Sequence, residues 1–182
     1  MSVFSLIVIS VIACTGHGYK TGAPDAQCLL MTPGHGGTPQ TITPPYSLTV
    51  NKANYTEGDK LQVTLSKTST DQFKGYLIEA RDKNQNILPG FRITGDGKSL
   101  TCPNGNAVTH TENSFKNSVT FEFTAPRTST GNITMYATVV KDYNTYWVKI
   151  PSRSIPGLTG ASSNNVISKA VMVLTVLVYL LF

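Results

Sequence analysis

The chain has 182 residues, of which 40% are hydrophobic and 14% are charged, and its formal net charge is +5. Without its apolar ends, this length suits one domain. The mild basic bias suits anionic surfaces such as lipopolysaccharide, glycosaminoglycan or phospholipid headgroups, and equally an ordinary solvated surface. Its Lys and Arg residues form no cluster, so we expect no nucleic-acid partner.

An apolar run at residues 3–13 opens the chain and is too short to span a membrane. The small residues that follow it predict a secretory signal peptide over residues 1–18, cleaved before Tyr19. The alternative is a bacterial lipoprotein signal that lipidates Cys14. In either case the remainder of the chain is exported, and we expect it to be extracellular.

Cysteines and sequons in the central region fit an oxidising compartment. Cys14 would leave with the signal peptide, so Cys28 and Cys102 have only each other to pair with. Their bridge would close a loop of about 75 residues and stabilise the fold by roughly 4 kcal/mol. Asn54 and Asn132 each begin an Asn-x-Thr sequon and are predicted glycosylation sites.

Residues 19–45 are rich in Gly, Pro and Thr and contain few candidates for a hydrophobic core. A free arm would not need a bridge to the middle of the chain. The segment is therefore predicted to be an ordered arm that lies over the domain and is held by Cys28.

The region from residue 46 to 150 shows alternation of apolar and polar residues, which is typical of strands. Turn signals rich in Gly, Pro, Asn and Asp separate the runs, and no sustained helical period occurs before residue 160. This spacing predicts an all-β chain folded as an antiparallel β-sandwich, with a closed barrel as the alternative. The alternating runs are 46–50, 61–65, 76–80, 119–123, 133–139 and the segment around Trp147.

Two segments partly match ligand-binding loops. Segment 95–99 ends like a phosphate-binding loop, but its first glycine and the following helix are missing, so we predict a turn. Asp82, Asn84 and Asn86 have the spacing of a calcium loop without its glycine or its final acidic ligand. A polar hairpin is the better interpretation of that segment.

His35 and His110 follow the two cysteines by similar distances, so a bridge could bring both imidazoles to one end of the domain. They are weak candidates for a metal site or a pH-sensitive contact, but no third ligand accompanies them. We expect each to hydrogen-bond to backbone. Because no hydrolase, metalloprotease or triad motif occurs, we predict a non-enzyme without a cofactor or a resident metal.

Aromatic and basic residues cluster near residue 145 and are the predicted ligand-binding residues. Tyr143, Tyr146 and Trp147 lie close to Lys141, and aromatic rings beside cations can stack on sugars or sit at a lipid headgroup layer. For Trp147, packing in the core is the favoured interpretation. The two tyrosines are expected to be exposed in a loop.

The C-terminal region has three parts that together match a glycosylphosphatidylinositol attachment signal. Small residues and a polar stretch make up a linker, 156–169, and an apolar run at 170–182 follows. Ser162, Ser163 and Asn164 are the predicted attachment residues, and the membrane would then be reached by a lipid anchor. A short tail anchor and a packed strand are the alternatives.

Several separated motifs resemble the reeler domain, in order and over nearly all of residues 19–155. The resemblance implies an extracellular immunoglobulin-like sandwich with a disulfide at the two matching cysteines. The motifs are YKTGAP at 19–24, Cys28, MTPGHG at 31–36, FKGYLIEAR at 73–81, LTC at 100–102, VTH at 108–110, AP at 125–126 and ATVV at 137–140.

Reeler domains stand at the front of reelin, spondins and ferric-chelate reductases, and alone in invertebrate defence proteins. The resemblance is greatest to the last group, and the haem-binding and cytochrome-type domains of the reductases are missing here. We expect innate immune defence by recognition of microbial glycolipid or polysaccharide. The alternative is an adhesion module that binds extracellular matrix or a cell-surface protein, and a weaker third is an accessory role in metal reduction.

Overall fold

The computed structural model describes residues 19–34, 37–126 and 130–158. The predicted signal peptide, the apolar C-terminal run and most of the predicted linker lie outside these residues. The described part has one short 3-10 helix, Asp25–Gln27, and nine strands: β1 Tyr46–Val50, β2 Lys60–Lys67, β3 Gly75–Arg81, β4 Phe91–Arg92, β5 Lys98–Cys102, β6 Gly105–Thr109, β7 Ser118–Thr124, β8 Thr134–Val140 and β9 Tyr146–Pro151.

The strands form two antiparallel sheets. One has four strands in the order β1-β2-β7-β4, and the other has five in the order β5-β6-β3-β8-β9. Buried side chains from both sheets meet in one hydrophobic core. The all-β sandwich is thereby confirmed, and the closed barrel is excluded because the sheets remain separate.

Strand alternation places the core residues on facing surfaces. Leu61 and Val63 of β2 pair with Phe123 and Phe121 of β7, and all four side chains are at most 1% exposed. The side chains between them in β2 are exposed or half-buried. The four-stranded sheet therefore has one dry face and one wet face, as its sequence pattern predicts.

Strand β3 is different, because all seven of its residues are buried. Tyr76, Ile78 and Ala80 belong to the core between the sheets. Leu77 faces the opposite way and belongs to a second cluster with Cys28 and other residues. The five-stranded sheet is therefore covered on both faces, the outer one by the N-terminal arm.

The hairpin β5–β6 and the short β4 were not predicted as strands. The sequence did mark the hairpin turn, where Asn104 adopts a positive φ of 63°. Asn106 joins the two sheets at this point, since its amide oxygen accepts the N–H groups of Gly90 and Phe91 at 3.0 and 3.1 Å. Its amide nitrogen donates to the Phe91 carbonyl at 2.8 Å.

The arm is joined covalently to the five-stranded sheet. Cys28 forms a disulfide with Cys102 at the end of β5, with 5.7 Å between their Cα atoms. Both cysteines are buried and pack with Met31 and Leu77. The predicted disulfide-tethered arm is thus confirmed.

A buried pair of hydrogen-bonded side chains, Arg81 and Glu79, adds to this attachment. The Arg81 guanidinium donates to Glu79 Oε2 at 2.7 and 3.0 Å, and also to the carbonyls of Cys28 and Leu29 at 2.8 and 3.1 Å. Glu79 is fully buried, and its other oxygen has no hydrogen-bond partner. Desolvation outweighs the attraction of Arg81 and Lys149 and raises the pKa of Glu79 to about 7.

The chain leaves the sandwich at the end opposite to the start of β3. Ile155 pairs with Ile133, just before β8, and Gly157 pairs with Tyr55 in the β1–β2 connection. Tyr55 is nearly fully buried, and its hydroxyl donates to the Gly131 carbonyl at 2.7 Å. Within the described residues, no helix is long and apolar enough to cross a membrane.

The double variant Cys28→Ala/Cys102→Ala should lower the free energy of unfolding by about 2–5 kcal/mol. The bridge closes a long loop between positions 74 residues apart, so its loss frees the unfolded chain more than the folded one. Urea denaturation of both proteins measures the difference. An unchanged midpoint and slope would contradict the expectation.

Glu79→Gln should make stability less dependent on pH. With its pKa raised to about 7, Glu79 keeps a proton in the folded protein that the unfolded chain releases near pH 4.5. The stabilisation that this bound proton gives is complete below the pKa of Glu79 in the unfolded chain. It is lost as the pH rises through the folded-state pKa of about 7. Between pH 5 and pH 8, the wild type should lose roughly 1–3 kcal/mol relative to the variant.

Urea denaturation of both proteins across this pH range tests the expectation, since the remaining titrating groups are shared and cancel. Glu79→Asp serves as the matched control that keeps a carboxyl group. Parallel pH profiles for wild type and Glu79→Gln would show that Glu79 does not titrate in this range.

Candidate functional site

Side chains of β9 hold the later part of the arm. The Tyr146 hydroxyl donates to the Gly37 carbonyl at 2.7 Å, and Trp147 Nε1 donates to the Ile42 carbonyl at 3.1 Å. Tyr146 is only 1% exposed, so the expectation of an exposed loop tyrosine was wrong. It begins β9, and its ring is covered by the arm. Trp147 packs in the core, as favoured from the sequence.

Tyr143 and Lys141 lie near the connection between β8 and β9. Tyr143 is 46% exposed, as expected for a loop residue. Lys141 forms an ion pair with Asp71 at 2.9 Å, and both side chains are partly exposed. Of the four predicted binding residues, the structure thus leaves Tyr143 as the exposed aromatic one.

His110, which follows β6, fastens the first residues of the arm. Its Nε2 is 3.0 Å from the Tyr19 carbonyl, and its Nδ1 accepts the Tyr76 N–H at 3.1 Å. This pattern fits a neutral imidazole protonated at Nε2. Burial lowers the pKa of His110, and the nearby charges of Lys116 and Lys98 act in the same direction.

The backbone contacts of His110 match the expectation from the sequence. Its predicted neighbour His35 lies outside the described residues, so their pairing stays a prediction. Among the described residues, one group has a metal-like clustering, namely Cys28, Glu79 and Cys102. Its two sulfur atoms are joined in the disulfide and offer no thiolate, so this group is not a metal site.

The start of the arm lies in close backbone contact with the end of β6. Gly22 has a φ of 102°, and a Cβ atom at this position would lie 2.3 Å from the His110 carbonyl oxygen. The N–H of Ala23 donates to the Thr109 hydroxyl at 3.0 Å. Glycine is therefore required where the arm turns onto the sheet.

Between these attachments the arm and the sheet enclose a cavity of about 310 Å³, which we call the arm cavity. It lies where β3 begins and β8 ends. The arm supplies one wall, and the sheet and its loops supply the others. The lining residues are Tyr19, Lys20, Ala23, Gln27, Met31, Thr32, Pro33, Lys74, Gly75, Tyr76, Leu77, His110, Asn113, Thr138, Val140, Asp142 and Tyr143.

The arm cavity has an apolar interior and a polar opening. Met31 and Leu77 are buried, with at most 3% of each residue exposed. Val140 lies on the same sheet face as Thr138. Lys20 and Tyr143 are exposed, and Lys74 is half-buried. This arrangement is typical of a pocket that binds a molecule with an apolar part and a charged part.

The partly matching motifs serve as turns. Asp82 Oδ1 accepts the backbone N–H groups of Asn84 and Asn86 at 2.8 and 2.9 Å, which fixes the tight connection after β3. These bonds to backbone account for the acidic and amide residues at calcium-like spacing. Residues 95–97 form a bend that leads into β5, and residues 98 and 99 are the first two of that strand.

The modification sites remain predictions. Asn54 and Asn132 are both exposed in connections between strands, so each side chain is open to solvent. Ser162, Ser163 and Asn164, the predicted attachment residues, lie outside the described residues.

The arm cavity itself was not predicted from the sequence. Its lysines, Lys20 and Lys74, lie far apart in two of the reeler-like motifs, at 19–24 and 73–81, and neither motif indicates a ligand. One signal was available at Tyr76, Leu77 and Ile78, where three consecutive apolar residues indicate a strand covered on both faces. The segment that covers the outer face of this strand is the arm, and it does not fill all the space above the sheet.

Comparison with protein families identifies a Reeler domain over residues 26–162. "Putative defense protein 3" of Antheraea mylitta is 36% identical over 162 residues, which cover 87% of this chain and 98% of that protein. "Putative ferric-chelate reductase 1" of Danio rerio is 34% identical over 86% of this chain, but the match covers 29% of that protein. Its reductase activity is therefore not carried over to this chain.

Solved structures show the same fold. The Reelin-N domain of F-spondin matches with a TM-score of 0.59 at 20% identity, covering 74% of this chain and 98% of that one. The human F-spondin reeler domain matches with a TM-score of 0.58 at 21% identity, covering 67% and 94%. The family match spans most of the chain, and the arm, the disulfide and the sandwich accompany it: this chain belongs to the reeler domain family.

Proposed function

We propose that this protein acts outside the cell in innate defence by binding microbial glycolipid or polysaccharide. Its action is adhesion and involves no catalysis. The observation that carries the proposal is the arm cavity, which combines an apolar interior with Lys20 and Lys74 at its opening. Microbial glycolipids combine apolar chains with anionic sugars and phosphates, so both parts of the site have a counterpart in the ligand.

The relatives support a role in defence. Three Antheraea mylitta proteins named as putative defense proteins are 35–37% identical to this chain and are covered over 94–98% of their length. Similarity along the whole of such short proteins indicates a shared task more strongly than similarity to one part of a longer protein.

The disulfide and the two sequons support the extracellular location that we propose. The disulfide is of the kind that persists in an oxidising environment, and Asn54 and Asn132 are exposed for glycosylation. Attachment to the outer cell surface by a lipid anchor is part of this proposal and rests on the order of small, polar and apolar residues after residue 159.

The processed protein, produced in eukaryotic cells and released from their surface, should bind lipopolysaccharide saturably, and binding should weaken as salt rises. Lys20→Gln/Lys74→Gln should lower the affinity by about tenfold, because it removes both cations that flank the cavity opening. Titrations with lipopolysaccharide, β-glucan and whole bacteria at several salt concentrations measure this.

The matched control is Lys60→Gln/Lys83→Gln, which removes two charges away from the cavity. Lys60 pairs with Glu122 on the four-stranded sheet and Lys83 lies in the exposed turn after β3. Equal losses in both double variants would indicate nonspecific charge attraction. Absence of binding to all three microbial probes would favour the adhesion module, with extracellular matrix or cell-surface protein as its partner.

A further inference from the structure

We infer that the arm cavity holds a single alkyl chain of about ten carbons whose anionic head group lies against Lys20 and Lys74. The inference rests on the proposed function and names the part of the glycolipid that enters the protein. The shared ligand chemistry is an alkyl chain joined to a phosphate or carboxylate, whether it belongs to a microbial glycolipid or to a free fatty acid or lysolipid.

Several polar side chains in the cavity walls already have hydrogen-bond partners. The Thr138 hydroxyl donates to the Met31 carbonyl at 2.6 Å. Both nitrogens of His110 have backbone partners, as described above, and the Tyr76 hydroxyl donates to the Asp96 carbonyl at 2.9 Å. Because these groups are already hydrogen-bonded, the part of the interior that they line is suited to an apolar group without hydrogen-bonding needs.

The size of the cavity limits what it can hold. Its volume of about 310 Å³ is at the lower end of small-molecule pockets. A methylene group needs slightly less space than the ~30 Å³ that a water molecule occupies in the liquid, so the cavity holds roughly ten of them. One chain therefore fits, and the other chains of a larger glycolipid would remain outside.

Charge at the opening selects the head group. Among the described residues, neither Lys20 nor Lys74 forms an ion pair with a carboxylate, and the Lys74 ammonium lies 4.5 Å from the centre of the Phe115 ring. Asp142 also lines the cavity, but its Oδ1 accepts the N–H of Asn144 at 3.0 Å. With two lysines and one turn-bound carboxylate, the charged lining of the cavity is net positive, which favours an anionic head group.

The first experiment is calorimetric titration of the same processed protein with alkyl phosphates from butyl to hexadecyl, below their micelle concentrations. Affinity should rise about fourfold for each added methylene. It should level off when the chain reaches about ten carbons and the cavity is full. Inorganic phosphate and dodecyl maltoside test the head group and the chain separately, and both should bind at least about tenfold more weakly than dodecyl phosphate.

Val140→Phe tests the location, because the larger side chain would occupy the space of the ligand. It should lower the affinity for dodecyl phosphate by more than about tenfold. Val148→Phe is the matched control, since Val148 packs against the same outer cluster but does not line the cavity. Val140→Ala, which enlarges the space, should shift the levelling-off to longer chains and decides the matter if Val140→Phe does not fold.

Affinity that does not depend on chain length would overturn the inference, as would folded Val140→Phe binding dodecyl phosphate like the wild type. Inorganic phosphate binding as tightly as dodecyl phosphate would do the same. Binding to delipidated polysaccharide but not to alkyl phosphates would keep the proposed function and reject this inference. Binding to alkyl phosphates without binding to lipopolysaccharide or bacteria would keep the inference and reject the proposed function.

Discussion

The structure depends on covering the outer face of the five-stranded sheet. Strand β3 carries apolar residues on both of its faces, and Leu77 would be exposed to water without the arm. The arm has too few apolar residues to be held by burial alone. Its attachment therefore combines a disulfide with hydrogen bonds from sheet side chains to arm carbonyls, which also satisfy backbone groups that the arm cannot pair within itself.

These attachments are distributed along the arm. His110 holds its first residue, Arg81 and Cys102 hold the region of Cys28, and Trp147 holds the segment near Ile42. The arm meets the sheet at separate points and is not paired as an added strand, so its backbone can rise away from the sheet between them. The arm cavity lies in such an interval, and the bonds that Thr138 and His110 make to the arm occupy polar groups of its walls.

The sequence predicted what depends on alternation and on cysteine count. The runs around Leu48, Val63 and Phe121 each have one buried face, and their alternation of apolar and polar residues is enough to predict a strand. The disulfide was predictable because only Cys28 and Cys102 were left to pair. The β5–β6 hairpin was harder to predict, since Ala107 and Val108 are both buried and hide the alternation.

The site was less predictable, because it depends on which segment covers which face. Tyr146 and Trp147 resemble ligand-binding aromatics in sequence, yet the arm is what they bind. Lys20 and Lys74 are far apart along the chain, and both line the arm cavity because the arm crosses the beginning of β3. Proximity of this kind is set by tertiary packing and leaves no local pattern in the sequence.

The position at which the chain leaves the sandwich determines how the protein would be displayed. Gly157 pairs beside Tyr55, at the end of the sandwich where β3 finishes, whereas the arm cavity opens where β3 begins. The seven residues of β3 separate these ends by about 23 Å. A protein tethered through the residues beyond Leu158 would therefore hold its cavity away from its own membrane, outward toward whatever approaches the cell.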